Sequence, residues 1–130
     1  QLIQKLSSAI LNYSSSDTRN IKIATTGDTV LVNADTASSV MLVINELLSN
    51  SLEHGFRTKK SGNIDIRVSN EEVFAIFTIT DDGDGFQQKT NFESLGLNIV
   101  KAIVKDKLNG KIRIHSSKSG TVTEFSIKIK

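Results

Sequence analysis

Apolar residues recur at helical spacing in three segments of the chain. The first segment, Leu2–Leu11, carries leucines and isoleucines near a period of 3.6 residues and is predicted to be a helix. A longer helix is predicted through Val40 to Glu53, with Asp35 or Thr36 as its N-terminal cap. The third segment, Leu97–Leu108, ends at an Asn-Gly pair, which commonly stops a helix. We therefore expect three helices.

Shorter runs of β-prone residues lie between these helices. In chain order they are Ile21–Ile23, the residues around Leu31, Ile64–Val68, Val73–Ile79, Lys111–His115 and Thr121–Ile129. The first two runs flank Gly27 and predict a hairpin with this glycine in its turn. Val73–Ile79 is apolar at odd and even positions alike, which favours a central strand covered along most of its length. The irregular order of helices and strands predicts an α+β fold, with helices on one face of a largely antiparallel sheet.

Composition narrows the function classes. The chain has 130 residues, enough for one domain with a sizeable core. Its net charge is only +2, and its basic residues are scattered along the chain, so nucleic acid is not the expected partner. No cysteine is present, which excludes disulfides and thiolate chemistry. The apolar runs are too short to cross a bilayer, and a cytoplasmic location is expected. The chain begins at Gln1 rather than Met, so we expect a piece of a longer protein.

An acidic, glycine-containing motif, TDDGDGF, follows the predicted central strand as residues 80–86. A calcium loop is one interpretation, because Asp82, Asp84 and Glu93 fall at its first, third and twelfth positions. Phe86 then stands where an oxygen ligand is needed, so this interpretation fails. A plain turn remains open, since Asp-Gly pairs form turns readily.

The same motif also suits a site for a flat ligand. Gly83 and Gly85 would let the backbone pass close to a ring, and Asp81 at the strand end would accept a hydrogen bond from it. A buried carboxylate is costly to leave without its partner, so one aspartate can select a ring that carries an amino group. Asp82 and Asp84 are then expected to be turn residues.

The long predicted helix contains a second motif, NELLSNSLEH, in which Glu46, Asn50 and Glu53 share one face. One interpretation is a polar helix face that is simply exposed to solvent, and it explains the pattern as well as a binding site does. A cleft is the alternative, because Glu and Asn one turn apart suit an oxygen-ligated Mg²⁺ beside a base. A third motif, SLGLNIV, places Gly96 at a helix entry, where free backbone N–H groups can hold phosphates.

Taken in order, NELLSNSLEH, DDGDG, a polar loop, LGLNIV and a Gly-Thr pair before the last strand resemble the ATP-binding domain shared by gyrase, sensor histidine kinases and MutL proteins. The similarity is closest to the catalytic domain of bacterial sensor histidine kinases with a short lid. It implies a two-layer α/β sandwich of the Bergerat type, with helices on one face of a mixed, mostly antiparallel sheet. Residues 1–20 would be the end of a helical dimerisation region or a linker, and residues 21–130 the ATP-binding catalytic domain.

The resemblance also implies roles for individual residues. Glu46 would orient or deprotonate the attacking group, and Asn50 would hold the Mg²⁺ that bridges the ATP phosphates. The other residues implied to bind the nucleotide are His54, Asp81, Gly83, Gly85, Leu95, Gly96, Leu97 and Thr121. Asp81 would contact the adenine amino group, while residues 87–95 would form a lid that closes over bound ATP.

A sensor kinase of this kind would transfer the γ-phosphate of ATP to a histidine on helices outside these residues. The expected partners are the protein's own upstream phosphoacceptor helices and a downstream response regulator, in a homodimeric parent that is cytoplasmic or membrane-anchored through other segments. Two residues depart from the family pattern: Ser94 replaces a glycine, and Glu53 replaces a lysine. An anti-sigma-factor serine kinase of the same fold, and a nucleotide sensor without catalysis, remain alternatives.

Overall fold

The computed structural model describes residues 3–6, 20–56, 58–85 and 96–130. Within these ranges the strands are β1 (Ile3–Leu6), β2 (Asn20–Gly27), β3 (Val30–Asn33), β4 (Ser61–Glu71), β5 (Phe74–Asp81), β6 (Ile112–Ser117) and β7 (Gly120–Lys128). The helices are α1 (Ala34–Asn50) and α2 (Leu97–Ala102), and each continues into a π-helical turn, Ser51–Gly55 and Ile103–Lys107 respectively. Over the described part of the chain, no helix has both the length and the apolar character needed to cross a bilayer.

Five strands form one mixed sheet in the order β2-β4-β5-β7-β6. The β2–β4 pair is parallel, and the other three pairs are antiparallel. β1 and β3 form a separate antiparallel pair. The predicted α+β class with a mixed, mostly antiparallel sheet is confirmed.

The core lies between one face of this sheet and the helices. Alternate residues of the three central strands are buried on that face: Ile64, Ile66, Val68, Ala75, Phe77, Ile79, Phe125 and Ile127. Phe77 and Phe125 are directly paired across β5 and β7, and their rings stack with centroids 4.9 Å apart. β5 is the central strand, as predicted, but Ile76 is only half-buried and Phe74 is exposed on the opposite face. The sheet is therefore covered on one side.

Helix α1 begins one or two residues before the predicted caps. Asn33 is the N-cap, and its side-chain oxygen accepts a hydrogen bond from the Thr36 backbone N–H at 2.8 Å. Asp35 lies in the first turn, where a carboxylate favours the positive end of the helix dipole. The helix buries its predicted apolar face, which includes Val40, Ile44, Leu47 and Leu48.

The helix predicted over Leu2–Leu11 is wrong for Ile3–Leu6, which form strand β1. This strand pairs with β3, so that Ile3 is opposite Asn33 and Leu6 is opposite Val30. Leu6 and Val30 are both fully buried. Pairing with a distant strand has therefore overridden the local helical spacing. The rest of that segment lies outside the described residues, and the division of the chain at residue 20 stays a prediction.

The predicted hairpin across Gly27 is also wrong. β2 runs parallel to β4, with Gly27 opposite Val68, while β3 pairs with β1. Gly27 has φ +108°, and a side chain there would overlap the carbonyl oxygen of Val68. This glycine therefore ends β2 against β4, and the chain leaves the sheet after it.

Candidate functional site

The carboxylate of Asp81 lies at the end of the central strand and is only 3% exposed. Its Oδ1 accepts hydrogen bonds from the backbone N–H groups of Gly83 at 3.0 Å and Thr121 at 3.2 Å. Its Oδ2 accepts one from the Ser51 hydroxyl at 2.9 Å. The donors belong to the motif itself, to the first residues of β7 and to the end of α1. Three parts of the fold therefore converge on this one side chain.

The other two aspartates of the motif bind different parts of the chain. Asp82 accepts hydrogen bonds from the backbone N–H of Asn63 at 2.7 Å and from its amide at 3.2 Å. Asp84 accepts from the Thr58 backbone N–H at 2.8 Å and from its hydroxyl at 2.7 Å. The hydrogen bond from the Asn63 backbone lowers the pKa of Asp82, and that from the Thr58 backbone lowers the pKa of Asp84. Asp82 thus joins the motif to β4, and Asp84 joins it to the segment between the π-helical turn and β4.

The two glycines of the motif make room for the chain's own backbone. A side chain on Gly83 would overlap the carbonyl oxygen of Gly55, and one on Gly85 would overlap that of Ser117. Gly85 also has φ +76°, a conformation that disfavours any other residue. The space in the direction of a Cβ is therefore filled by protein at both positions. Their contact with a nucleotide stays a prediction.

Helix α1 and the start of α2 bring two predicted site residues together. Gly96 has φ +70°, and a Cβ built on it would lie 3.3 Å from Oε2 of Glu46, which is half-buried. One turn further along α1, Asn50 is only 5% exposed, and its amide nitrogen has no hydrogen-bond partner within the described residues. A buried amide atom without a partner is costly, and a bound ligand or its hydration shell would satisfy it.

These residues fit a nucleotide with Mg²⁺ only if the metal draws most of its ligands from elsewhere. In the described ranges no three His, Cys, Asp or Glu side chains are grouped closely enough to hold a metal ion. Mg²⁺ typically takes one or two protein oxygens and completes its octahedron with water and phosphate oxygens. A side-chain amide such as that of Asn50 supplies one such oxygen. The donor set is thus compatible with a metal that arrives with a phosphate ligand.

The remaining predicted residues differ in their positions. Leu97 is buried in the core, so its backbone alone is available to a ligand. Thr121 is buried, and its hydroxyl is 2.9 Å from that of Ser116. The His54 ring nitrogen Nε2 is 3.9 Å from a carboxylate oxygen of Glu53, whose side chain is 72% exposed. Leu95 and the rest of the predicted lid lie outside the described residues.

Ser51 is a site residue that the sequence analysis missed. It occupies a position on the apolar face of α1, and its hydroxyl at a core position was the available signal. Thr58 and Asn63 were also missed. Their contacts cross 26 and 19 residues of sequence, and no local pattern reports such pairs.

A separate cleft of about 970 Å³ contains none of the predicted site residues. It is lined by parts of α2, the segment after α2, β5, β6 and β7, and its basic lining residues are Lys101, Lys105, Lys111 and Arg113. Arg113 forms an ion pair with Glu124. The convergence of buried polar groups on Asp81, and not this open cleft, therefore identifies the candidate site.

Comparison with known proteins gives a consistent family. Residues 35–130 match the family described as histidine kinase-, DNA gyrase B- and HSP90-like ATPase. The chain is 32% identical over 113 residues to the sensor histidine kinase PdtaS of Mycobacterium tuberculosis, covering 84% of this chain and 23% of that protein. It is 30% identical over 115 residues to blue-light-activated histidine kinase 2 of Erythrobacter litoralis, covering 84% of this chain and 32% of that protein.

A solved structure shares the fold over nearly the whole chain. The histidine kinase domain of the Erythrobacter litoralis EL346 blue-light-activated histidine kinase superimposes with a TM-score of 0.79 and 28% sequence identity, covering 94% of this chain and 57% of that one. The chain thus spans between 23% and 32% of the length of the curated relatives described above.

Proposed function

This chain belongs to the family of histidine kinase-, DNA gyrase B- and HSP90-like ATPases, and we propose that it is the ATP-binding catalytic domain of a sensor histidine kinase. The observation that carries the proposal is the buried Asp81 carboxylate at the sheet end, held by donors from three parts of the fold. A charged acceptor fixed in this way favours a base with an exocyclic amino group, as adenine has, and disfavours one with an oxygen there.

The phosphates of ATP are proposed to lie toward the junction of α1 and α2. Gly96 is close to Glu46 there, and the buried amide of Asn50 lacks a partner among the described residues. The backbone N–H groups at Gly96 and Leu97 would donate to phosphate oxygens, because the first N–H groups of a helix have no partner within it. Leu95, His54 and Thr121 complete the proposed nucleotide contacts.

Asn50 is proposed to contribute an oxygen ligand to Mg²⁺, which neutralises phosphate charge when it is bound with ATP. Glu46 would orient the imidazole of the acceptor and take up its proton. The γ-phosphate then passes to the ring nitrogen, and ADP departs. Most of the catalysis is alignment of donor and acceptor, because phosphoryl transfer leaves little covalent work to side chains.

The acceptor histidine is proposed to lie on helices of the same protein outside these residues. A response regulator would receive the phosphate next, and the parent protein is proposed to be a homodimer whose catalytic domain works in the cytoplasm. The relatives described above are named sensor or light-activated histidine kinases. They favour a kinase over the anti-sigma-factor regulator that the sequence left open. Glu53 was the main feature of the sequence that suggested a nucleotide sensor without catalysis. Its side chain is strongly exposed and lies on the surface.

Calorimetric titration of the chain with ATP tests the binding step. We expect saturable binding with one nucleotide per chain in the presence of Mg²⁺, and weaker binding when the metal is removed by a chelator. GTP should bind at least about tenfold more weakly, because its base offers an oxygen where adenine has an amino group. Absence of saturable ATP binding under both conditions would contradict the proposal.

Phosphoryl transfer is tested with a longer form of the protein that includes the upstream helices. Incubation with ATP labelled at the γ-phosphate should give a protein-bound label that is stable in alkali and lost in acid, as phosphohistidine is. Glu46→Gln should lower the rate of labelling about a hundredfold or more while ATP affinity changes little, because proton removal contributes to the transition state alone. A label that is stable in acid would instead indicate serine or threonine as the acceptor.

A further inference from the structure

The hydrogen-bonding capacity of Asp81 is divided unequally between its two oxygens. A carboxylate offers about four acceptor positions, two on each oxygen. The backbone N–H groups of Gly83 and Thr121 occupy both positions on Oδ1. On Oδ2 the Ser51 hydroxyl occupies one position, and within the described residues the other has no donor. Oδ2 is therefore the oxygen that has an acceptor position left for a ligand.

We propose that Ser51 is a positioning residue that sets the direction in which Asp81 accepts the amino group of the base. This inference rests on the proposed ATP-binding function. Because the Ser51 hydroxyl takes one acceptor position of Oδ2, it determines which position is left for the ligand. It also prevents rotation of the carboxylate, since Oδ1 is held by backbone donors and Oδ2 by the serine.

The backbone around Ser51 fixes its hydroxyl in place. The residue lies where α1 changes into its π-helical turn, and its N–H donates to the carbonyl oxygens of Leu47 and Leu48. The residue is only 4% exposed, so water cannot readily replace its bond to Asp81. A donor that is rigid before the ligand binds needs no ordering on binding, and such support from surrounding residues is how precise sites are held.

The same position links the two ends of the proposed site. Ser51 follows directly on Asn50, whose buried amide nitrogen has no partner among the described residues and which is the proposed metal ligand. One short segment of helix thus presents a group for the metal and a group for the base. A change in the π-helical turn would move both.

Comparison of two nucleotides measures this role. Purine riboside triphosphate is ATP with a hydrogen atom in place of the amino group, so the ratio of its Kd to that of ATP reports the amino contact alone. We expect a ratio of about ten or more in the parent chain. In Ser51→Ala the ratio should fall to about three or less, chiefly because this variant binds ATP more weakly. Ser51→Cys keeps the shape of the side chain, with a larger atom that is a weaker donor, and should give an intermediate ratio.

A matched control is Ser126→Ala, which removes a half-buried hydroxyl on the opposite face of the sheet, where it accepts a bond from the Lys111 N–H. This variant should keep the parent ratio. If Ser51→Ala or Ser51→Cys weakens both nucleotides equally and leaves the ratio unchanged, Ser51 is a structural residue and the inference is wrong, while ATP binding stands. If the parent chain binds neither nucleotide, the proposed function fails first.

Discussion

Asp81, Asp82 and Asp84 lie in one short motif, yet each carboxylate has a different set of donors. Asp81 is buried and bonded to the π-helical turn after α1 and to β7, whereas Asp82 is bonded to β4 and Asp84 to the segment before β4. The sequence could predict that Asp81 differs, because it ends an apolar strand while the others follow it. The partners could not be predicted, since each bond joins residues that are distant in sequence. The burial of a residue can thus be predicted from its neighbours in the sequence, whereas its hydrogen-bond partners cannot.

Asn50 provides a prediction at this scale that concerns the metal. Asn50→Ala removes the buried amide without introducing a charge, so ATP affinity in Mg²⁺ should fall about tenfold. With a chelator present, parent and variant should bind ATP about equally, because the lost oxygen acts through the metal. Calorimetric titrations under both conditions measure the difference.

Asn45→Ala serves as the matched control for Asn50, since it removes an exposed amide from the same helix. It should bind ATP as the parent does with and without Mg²⁺. An equal loss of affinity in Asn50→Ala under both conditions would argue against a metal-ligand role.

Individual helices and strands differ in how well the local sequence pattern predicts them. The two described helices follow from periodicity, because one face of each packs on the core, and the central strand follows from its continuous apolar run. β1 and the β2–β3 connection could not be predicted in this way, because the partners of these strands lie far away in the sequence. β1 pairs with a strand more than 20 residues away, and β2 pairs in parallel with β4, which begins 34 residues after the end of β2. Such pairings depend on distant partners that no local window contains.

Gly27 allows a prediction about the parallel pair. Gly27→Ala places a side chain against the Val68 carbonyl in a backbone conformation of φ +108°, so it should lower the free energy of unfolding by about 2 kcal/mol or more. Thr26→Ala, at the neighbouring exposed position, should change it by about 0.5 kcal/mol or less. Urea unfolding of both variants measures the contrast, and equal small effects would show that β2 can end without a glycine.

Asp82 allows a prediction about pH at the junction between β4 and the motif. The Asn63 backbone hydrogen bond lowers its pKa from the ordinary value of 3.8, so the bond stabilises the folded state fully above that value. This stabilisation is lost as the pH falls through the lower pKa of the folded state. Asp82→Asn removes the titrating group.

Urea unfolding at a series of pH values tests the role of Asp82. Between about pH 5 and pH 3 the parent should lose more stability than Asp82→Asn, and the two curves should approach each other at the acid end. Since the carboxylate is largely exposed, the difference is expected to be small. Parallel curves over this range would show that the bond to Asn63 does not stabilise the fold.

In the molecule as a whole, the site forms because the ends of several secondary-structure elements meet at one end of the sheet. β5 ends at Asp81, β7 begins beside it, and Ser51, just after α1, donates to the Asp81 carboxylate. Motif order along the chain was enough to predict the family and the place of Asp81 at a strand end, but not its contact with Ser51. The lid lies outside the described residues, so how the site closes stays a prediction.

The role of Asp81 in holding the base is tested by the ATP affinity of Asp81→Asn compared with that of Asp82→Asn, measured by calorimetry in Mg²⁺. Both variants replace a carboxylate by an amide in the same motif and change the net charge equally. We predict that Asp81→Asn binds ATP at least about tenfold more weakly than the parent, while Asp82→Asn stays within about twofold. If Asp81→Asn binds ATP as well as the parent chain does, the Asp81 carboxylate does not hold the base of the nucleotide.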